Sequence, residues 1–306
     1  SVIMLLFIIN AVFRSSGDAA ISLRVMVLAN VLNIILDPCF IFGWGPFPEL
    51  GVMGAAVATN IGRGVAVIYQ FYLLFRGSHR IRLRLRHMKI SLEIISKLIK
   101  LSLGGIFQNL IATSSWIFMV RIISGFGTEV VAGYFIGIRI LIFTLLPSWG
   151  LANTDGTLVG QNLGAKEPGR AERAVKAAAW FNMILLGLVA IVFISFPAYF
   201  ISLFTKDLAV VQAGTTCLRI ISYGYVLYAL GMVMTQAFNG AGDTRTPTLI
   251  NLFAFWAVEI PLAYILSTST EMQEQGVYYA IIIAESVLSL TAFYLFRKGL
   301  WKLKIV

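Results

Sequence analysis

The chain is poor in the residues on which most enzymes and water-soluble domains depend. Charged side chains make up 12% of its 306 residues, against about 25% in a typical soluble domain, too few to cover a globular surface. It has two histidines, His79 and His87, and two cysteines, Cys39 and Cys217. Both histidines fall in one basic stretch and neither cysteine belongs to a CxxC pair, so no metal-ligand spacing and no disulfide framework exist. That argues against a metalloenzyme. Residues 1–13, SVIMLLFIINAVF, do not read as a cleavable signal peptide: they lack a basic start and a small-residue cleavage site, and run straight into Arg14.

What the chain has in abundance is apolar. Hydrophobic types reach 58%, with 22 Phe and 27 Gly and a mean hydropathy of +0.85, the composition of a polytopic membrane protein. A bilayer-crossing helix needs about 20 mostly apolar residues. Such runs recur near 20–43, 51–75, 98–124, 130–156, 174–200, 209–238, 247–267 and 276–296, with 1–13 as the end of another. The predicted fold class is all-α, a polytopic membrane helical bundle.

The net charge of +10 sorts by side of the membrane. Nineteen of the 24 Lys and Arg residues fall on one face, from Arg14 and Arg24 through the dense stretch RGSHRIRLRLRHMK at 76–89 to Arg297, Lys298, Lys302 and Lys304. Arg121 and Lys206 fall on the other, while Arg63, Arg139 and Arg219 lie inside spans. Short positive loops stay in the cytoplasm. The loop 76–97 and the C-terminus are therefore expected there, with 76–89 as a polybasic membrane-surface segment and no nucleic-acid partner.

The chain also matches itself at an offset of 225. FRSSGD (13–18) aligns with FNGAGD (238–243), and Gly51-Val52 with Gly276-Val277. A span and its partner are separated by six helices, so the expectation is two parallel six-helix repeats about an axis normal to the membrane. The first is incomplete here: roughly 135 residues, the counterparts of 91–225, are expected upstream of Ser1. The expected divisions are 1–75 (end of the N-terminal bundle), 76–97 (basic linker), 98–298 (C-terminal bundle) and 299–306 (tail). Repeats of this kind are a common build for secondary transporters. With no Walker A motif, nothing in the chain powers transport by ATP.

Three motifs carry a family resemblance. GQNLGAKEPGRAERAV (160–175) after PSWGLANTDGTLV (147–159) resembles the loop after helix 8 of the multidrug and toxic compound extrusion (MATE) transporters. FNGAGDTRTPTLIN (238–251) followed by EIPLAY (259–264) resembles their helix 10–11 junction, and NVLNIILDPCFIFGWG (30–45) their helix 5. The resemblance implies two six-helix bundles with a cleft between them, and antiport of a bulky, often cationic compound against H⁺ or Na⁺. It implies no enzyme activity and no bound cofactor beyond the coupling ion. The expected setting is the plasma (inner) membrane, the expected partners are a small-molecule substrate and membrane lipid, and the chain is expected to act as a monomer. A lipid-linked oligosaccharide flippase of the same superfamily is the alternative, although those line the cleft with several Arg and Lys.

Site residues follow from both lines. Asn30, Asn33 and Asp37 share one helical face by spacing, and an ionisable group inside a span marks a pathway or coupling site by default. Pro38 is expected to open the backbone near Asn33 and Ile34. The resemblance adds Thr59, giving Asn33, Asp37 and Thr59 as the cation-coupling set. Glu259, with Trp256 three residues earlier, suits an organic cation through charge and cation-π attraction; it is equally well read as a buried carboxyl, protonated or paired with Arg139 or Arg219. Asn109, Thr113 and Trp116 share a face, as do Gln108 and Ser115, either lining a cavity or packing between helices. Gln108, Asn109, Trp116, Trp256 and Glu259 are thus the substrate-binding candidates. Tyr228 stands where relatives carry an acidic residue. Asp155 stands where they usually carry a small one, and neither line gives it a role.

Overall fold

The computed structural model describes residues 2–76, 80–81, 83–84 and 91–303. Much of the basic stretch 76–89, with both histidines, and the end of the tail 299–306 lie outside the described residues. The rest is helical, with no strand among the described residues. Seven helices are long and apolar enough to cross a membrane, and one bent pair gives an eighth. Their outward faces carry large apolar side chains, Val52 at 93% exposure and Ile34 at 71% among them. Water would not tolerate so much apolar surface, whereas lipid does.

Two compact units divide the chain, Ser1–Ser91 and Leu92–Val306. The boundary falls inside the stretch read as a linker because the next helix begins six residues before the apolar run at 98. Its first turns are held by Glu93 and Lys97, an i, i+4 pair at 2.7 Å.

The first unit is α1 (Val2–Ser15), α2 (Ala19–Phe42) and α3 (Val52–Arg76). Leu6, Phe13, Ile21, Val25, Ala66 and Leu74 share its core. Polar groups cross-link that core: Gln70 Nε2 donates to Asn10 Oδ1 at 3.0 Å and Ser22 Oγ to the Asn10 carbonyl at 2.9 Å. The turn between α2 and α3 folds back on α2. Gly43 takes the left-handed conformation, and the amides of Leu50 and Gly51 bond the carbonyls of Phe40 and Ile41. Contrary to the expected opening, α2 continues unbroken through Pro38 to Phe42. Proline removes one bond to Ile34, and the bonds on either side are enough to carry the helix past it.

The second unit is α4 (Leu92–Ile123), α5 (Thr128–Gly164), α6 (Pro168–Ser195), α7 (Pro197–Ser202), α8 (Leu208–Ser222), α9 (Tyr225–Gly240), α10 (Arg245–Asn251), a π-helical segment (Leu252–Glu259), α11 (Ile260–Thr268) and α12 (Glu274–Arg297). The helix α5 is its spine. A Cβ on Gly133 would sit 2.5 Å from the Gly214 amide of α8, and one on Gly240 of α9 would sit 2.1 Å from the Gly156 carbonyl. Small-xxx-small pairs (133/137 and 156/160) let both neighbours approach backbone to backbone.

Two expectations are corrected here. The GQNLG stretch is not a loop: it forms the last turns of α5, which ends only at Gly164. The run 209–238 is not one straight span but α8 and α9, bent by 56° at Tyr223–Gly224. Ser222 Oγ bonds the Leu218 carbonyl at 2.6 Å, a back-bond that bends helices. The amides of Tyr223 and Gly224 then reach carbonyls only three residues back.

The junctions FRSSGD and FNGAGD close alike. Gly17 and Gly242 have positive φ, and Asp18 and Asp243 donate their amides to the carbonyls of Phe13 and Phe238 at 3.0 and 2.9 Å.

Candidate cation and substrate sites

In the first unit, Asn33 holds the polar cluster together. One helical turn separates it from Asp37, and its Nδ2 donates to Asp37 Oδ1 at 2.9 Å and to Thr59 Oγ1 of α3 at 3.2 Å. The helices come close enough for this because Gly62 has no side chain: a Cβ there would lie 3.0 Å from the Ala29 carbonyl. All three predicted residues are thereby in one half-buried cluster. The second oxygen of Asp37, the Asn33 amide oxygen and Thr59 Oγ1 are oxygen donors of the kind a hard cation takes. The same carboxylate can instead take a proton. Asn30, on the same face by spacing, is exposed.

The second unit separates the α4 candidates onto two faces. Asn109 is exposed, its Nδ2 bonded to the Gly105 carbonyl at 3.0 Å, and Trp116 is 44% exposed, its ring edge-on to Phe135. Gln108 turns inward. It exchanges amide hydrogen bonds with Asn239 at 3.2 and 3.3 Å and also donates to the Thr244 carbonyl. Asn239 and Thr244 belong to the FNGAGDT motif, and their pairing with Gln108 is a contact that spacing along one helix cannot reveal.

Glu259 and Trp256 end on different sides of the π-segment. Glu259 is buried and accepts from Ser115 Oγ at 2.6 Å. Arg139 and Arg219 are exposed, and no ion pair involves Glu259 among the described residues. Trp256 is 44% exposed, donates Nε1 to Ser114 Oγ at 3.2 Å and meets Phe118 edge-on. It lines an open apolar groove of about 470 Å³ with Leu249, Leu252, Phe253 and Ala257. The Ile260 amide bonds the Phe255 carbonyl five residues back, and Pro261 follows without an N–H. The widened turn just before a proline frees carbonyl groups at membrane depth, a feature common at functional sites.

The MatE family model matches residues 105–265. The chain is 26% identical to a probable multidrug resistance protein, YoeA, of Bacillus subtilis, over 98% of this chain and 65% of that protein. It is also 26% identical to the probable multidrug resistance protein NorM of Thermotoga maritima, over 98% and 64%. The outward-facing structure of a multidrug resistance MATE family transporter of the MOP superfamily superposes with a TM-score of 0.89 at 25% identity, covering 98% of this chain and 67% of that one. The chain thus spans about 65% of the length of the first of these relatives.

Proposed function

Because the chain belongs to the MatE family, whose members are transporters and not enzymes, we propose that it works as a secondary active multidrug antiporter, exchanging H⁺ or Na⁺ for organic, often cationic compounds. The observation that carries this reading is the Asn33–Asp37–Thr59 cluster: a carboxylate on a membrane-crossing helix, with neutral oxygen ligands and no ion pair among the described residues, is a site for a small cation. The exposed rings of Trp116 and Trp256 offer faces to an amphiphilic cation. Behind them, Glu259 places a buried carboxyl group that accepts from Ser115 Oγ.

The test is dye efflux. Everted vesicles containing the protein should accumulate an organic cation in their lumen when a H⁺ or Na⁺ gradient is imposed, and stop when the gradient is collapsed. Flipping of undecaprenyl-linked lipid with no dye efflux would replace this reading with the flippase.

The proposal includes an inner-membrane topology with the loop 76–97 and the C-terminus in the cytoplasm, supported by the distribution of Lys and Arg. In intact cells, Ser78→Cys should resist a membrane-impermeant thiol reagent and Glu49→Cys should react. The opposite labelling pattern would reverse the topology.

A further inference from the structure

One buried carboxyl has no place in the sites above. Asp155 lies on the C-terminal half of α5, is 1% exposed, and has no hydrogen-bond partner on either carboxyl oxygen among the described residues. Ala152 and Val159, one turn to each side, are fully buried. The next residue, Gly156, meets the Gln236 carbonyl of α9 so closely that a Cβ would stand 3.0 Å from it. The carboxyl therefore sits in a dry, tightly packed stretch.

No counter-charge among the described residues reaches it. On α5 itself the titratable groups Glu129, Tyr134 and Arg139 lie at least four turns toward the N-terminus. The charges of α6, Arg170, Glu172, Arg173 and Lys176, occupy its first turns, where Glu172 is paired with both Lys176 and Lys302. The helix α9 carries only Tyr225 and Tyr228, at its far end. The helices α4 and α8 meet α5 nearer its start, through Trp116 on Phe135 and through Gly214 on Gly133, and the one titratable group of α7, Tyr199, is exposed.

We infer that Asp155 is a proton-binding site within the second unit, filled while α5, α6 and α9 are packed as seen here and emptied only when water enters between them. A bare carboxylate in this position would cost several kcal/mol with nothing to offset it. A metal ion would need several oxygen ligands, and Asp155 brings only its own two. A proton satisfies the group alone. Ionisation then requires hydration, and hydration requires the glycine contacts between α5 and α9 to loosen, so proton occupancy and helix packing are one equilibrium. This deepens the antiport reading by placing a proton-dependent element in the unit that does not hold Asp37. Only that link to transport rests on the antiport reading.

The experiment uses the protein in proteoliposomes and follows, against pH, the infrared C=O stretch of a protonated carboxyl group, which a carboxylate lacks, with the Asp155 band identified by its loss in Asp155→Asn. That band should be present at acidic pH, the ratio of acid to carboxylate then falling about tenfold per pH unit as the acid ionises. Over the same range, backbone hydrogen exchange in 148–160 and 232–240 should accelerate beyond the rise that base catalysis gives every amide. Asp155→Asn, which keeps size and stays neutral, and Asp155→Ala should abolish that acceleration. Three results would overturn the inference: no protonated-carboxyl band at any pH that disappears in Asp155→Asn, removal of that band by Na⁺ at fixed pH, or the wild-type pH dependence of exchange in both variants. Absence of dye efflux from the same wild-type proteoliposomes would count against the antiport reading and leave the proton site standing.

Discussion

Asp37→Asn is expected to abolish gradient-driven efflux while leaving substrate binding in detergent largely intact. Asparagine keeps the size of the side chain and an oxygen that can still accept from Asn33 Nδ2, now at 2.9 Å. It removes the one formal charge in the cluster, and with it the capacity to hold a cation in one state and release it in the other. Changes that disturb a cation site's ligands usually cost about 10- to 100-fold, so efflux should fall by at least that much. Asn33→Ala and Thr59→Ala each remove a neutral partner, a loss of about 0.5–1.5 kcal/mol per hydrogen bond, and should slow efflux less. Efflux by Asp37→Asn at the wild-type rate, across the same pH and Na⁺ range, would remove α2 from the coupling mechanism.

Gly240→Ala should cause the largest loss of stability. The added Cβ would lie 2.1 Å from the Gly156 carbonyl oxygen and 2.7 Å from its Cα. Both atoms are backbone and neither can rotate away, so α9 has to shift off α5. Overpacking of this kind costs about 1–3 kcal/mol, read as a lower thermal unfolding midpoint in detergent. Gly150→Ala, on the same α5 with nothing within 4 Å, is the matched control. Alanine is the better helix former there by about 1 kcal/mol, so the midpoint should hold or rise. Equal midpoints for the two variants would show that the glycine contact is not what joins α5 to α9.

How far each feature could be read from the sequence depends on the range of the interaction that makes it. The spans were legible because each is a continuous apolar run, and the pairing of Asn33 with Asp37 because residues four apart face each other on any helix. Thr59 lies 26 residues away on another helix, and only the family resemblance brought it to the site. The bend at Tyr223–Gly224 left no proline to mark it; there Ser222 Oγ bonds the Leu218 carbonyl, and the Ile282 side chain lies against Gly224. GQNLG looks like a loop for its glycines and amides, yet its Gly160 helps α9 to approach: a Cβ there would lie 3.1 Å from the Gly240 carbonyl. For Glu259 the sequence left a cation contact and a buried carboxyl both open. The geometry places it inside, on Ser115, with Trp256 on the open side.

The bend between α8 and α9 also bears on the order in which the protein is made. At ~1.5 Å per residue, the 15 residues of α8 and the 16 of α9 are each about 23 Å long, short of the ~30 Å of a bilayer's hydrocarbon core. Neither half can be an insertion unit by itself, so the translocon has to release the pair as one segment. The side chain that packs against Gly224 in the finished structure is Ile282 of α12, which leaves the ribosome only later. The hinge is therefore inserted before it is braced, and a nascent chain halted ahead of α12 carries this span without the contact that sets its angle.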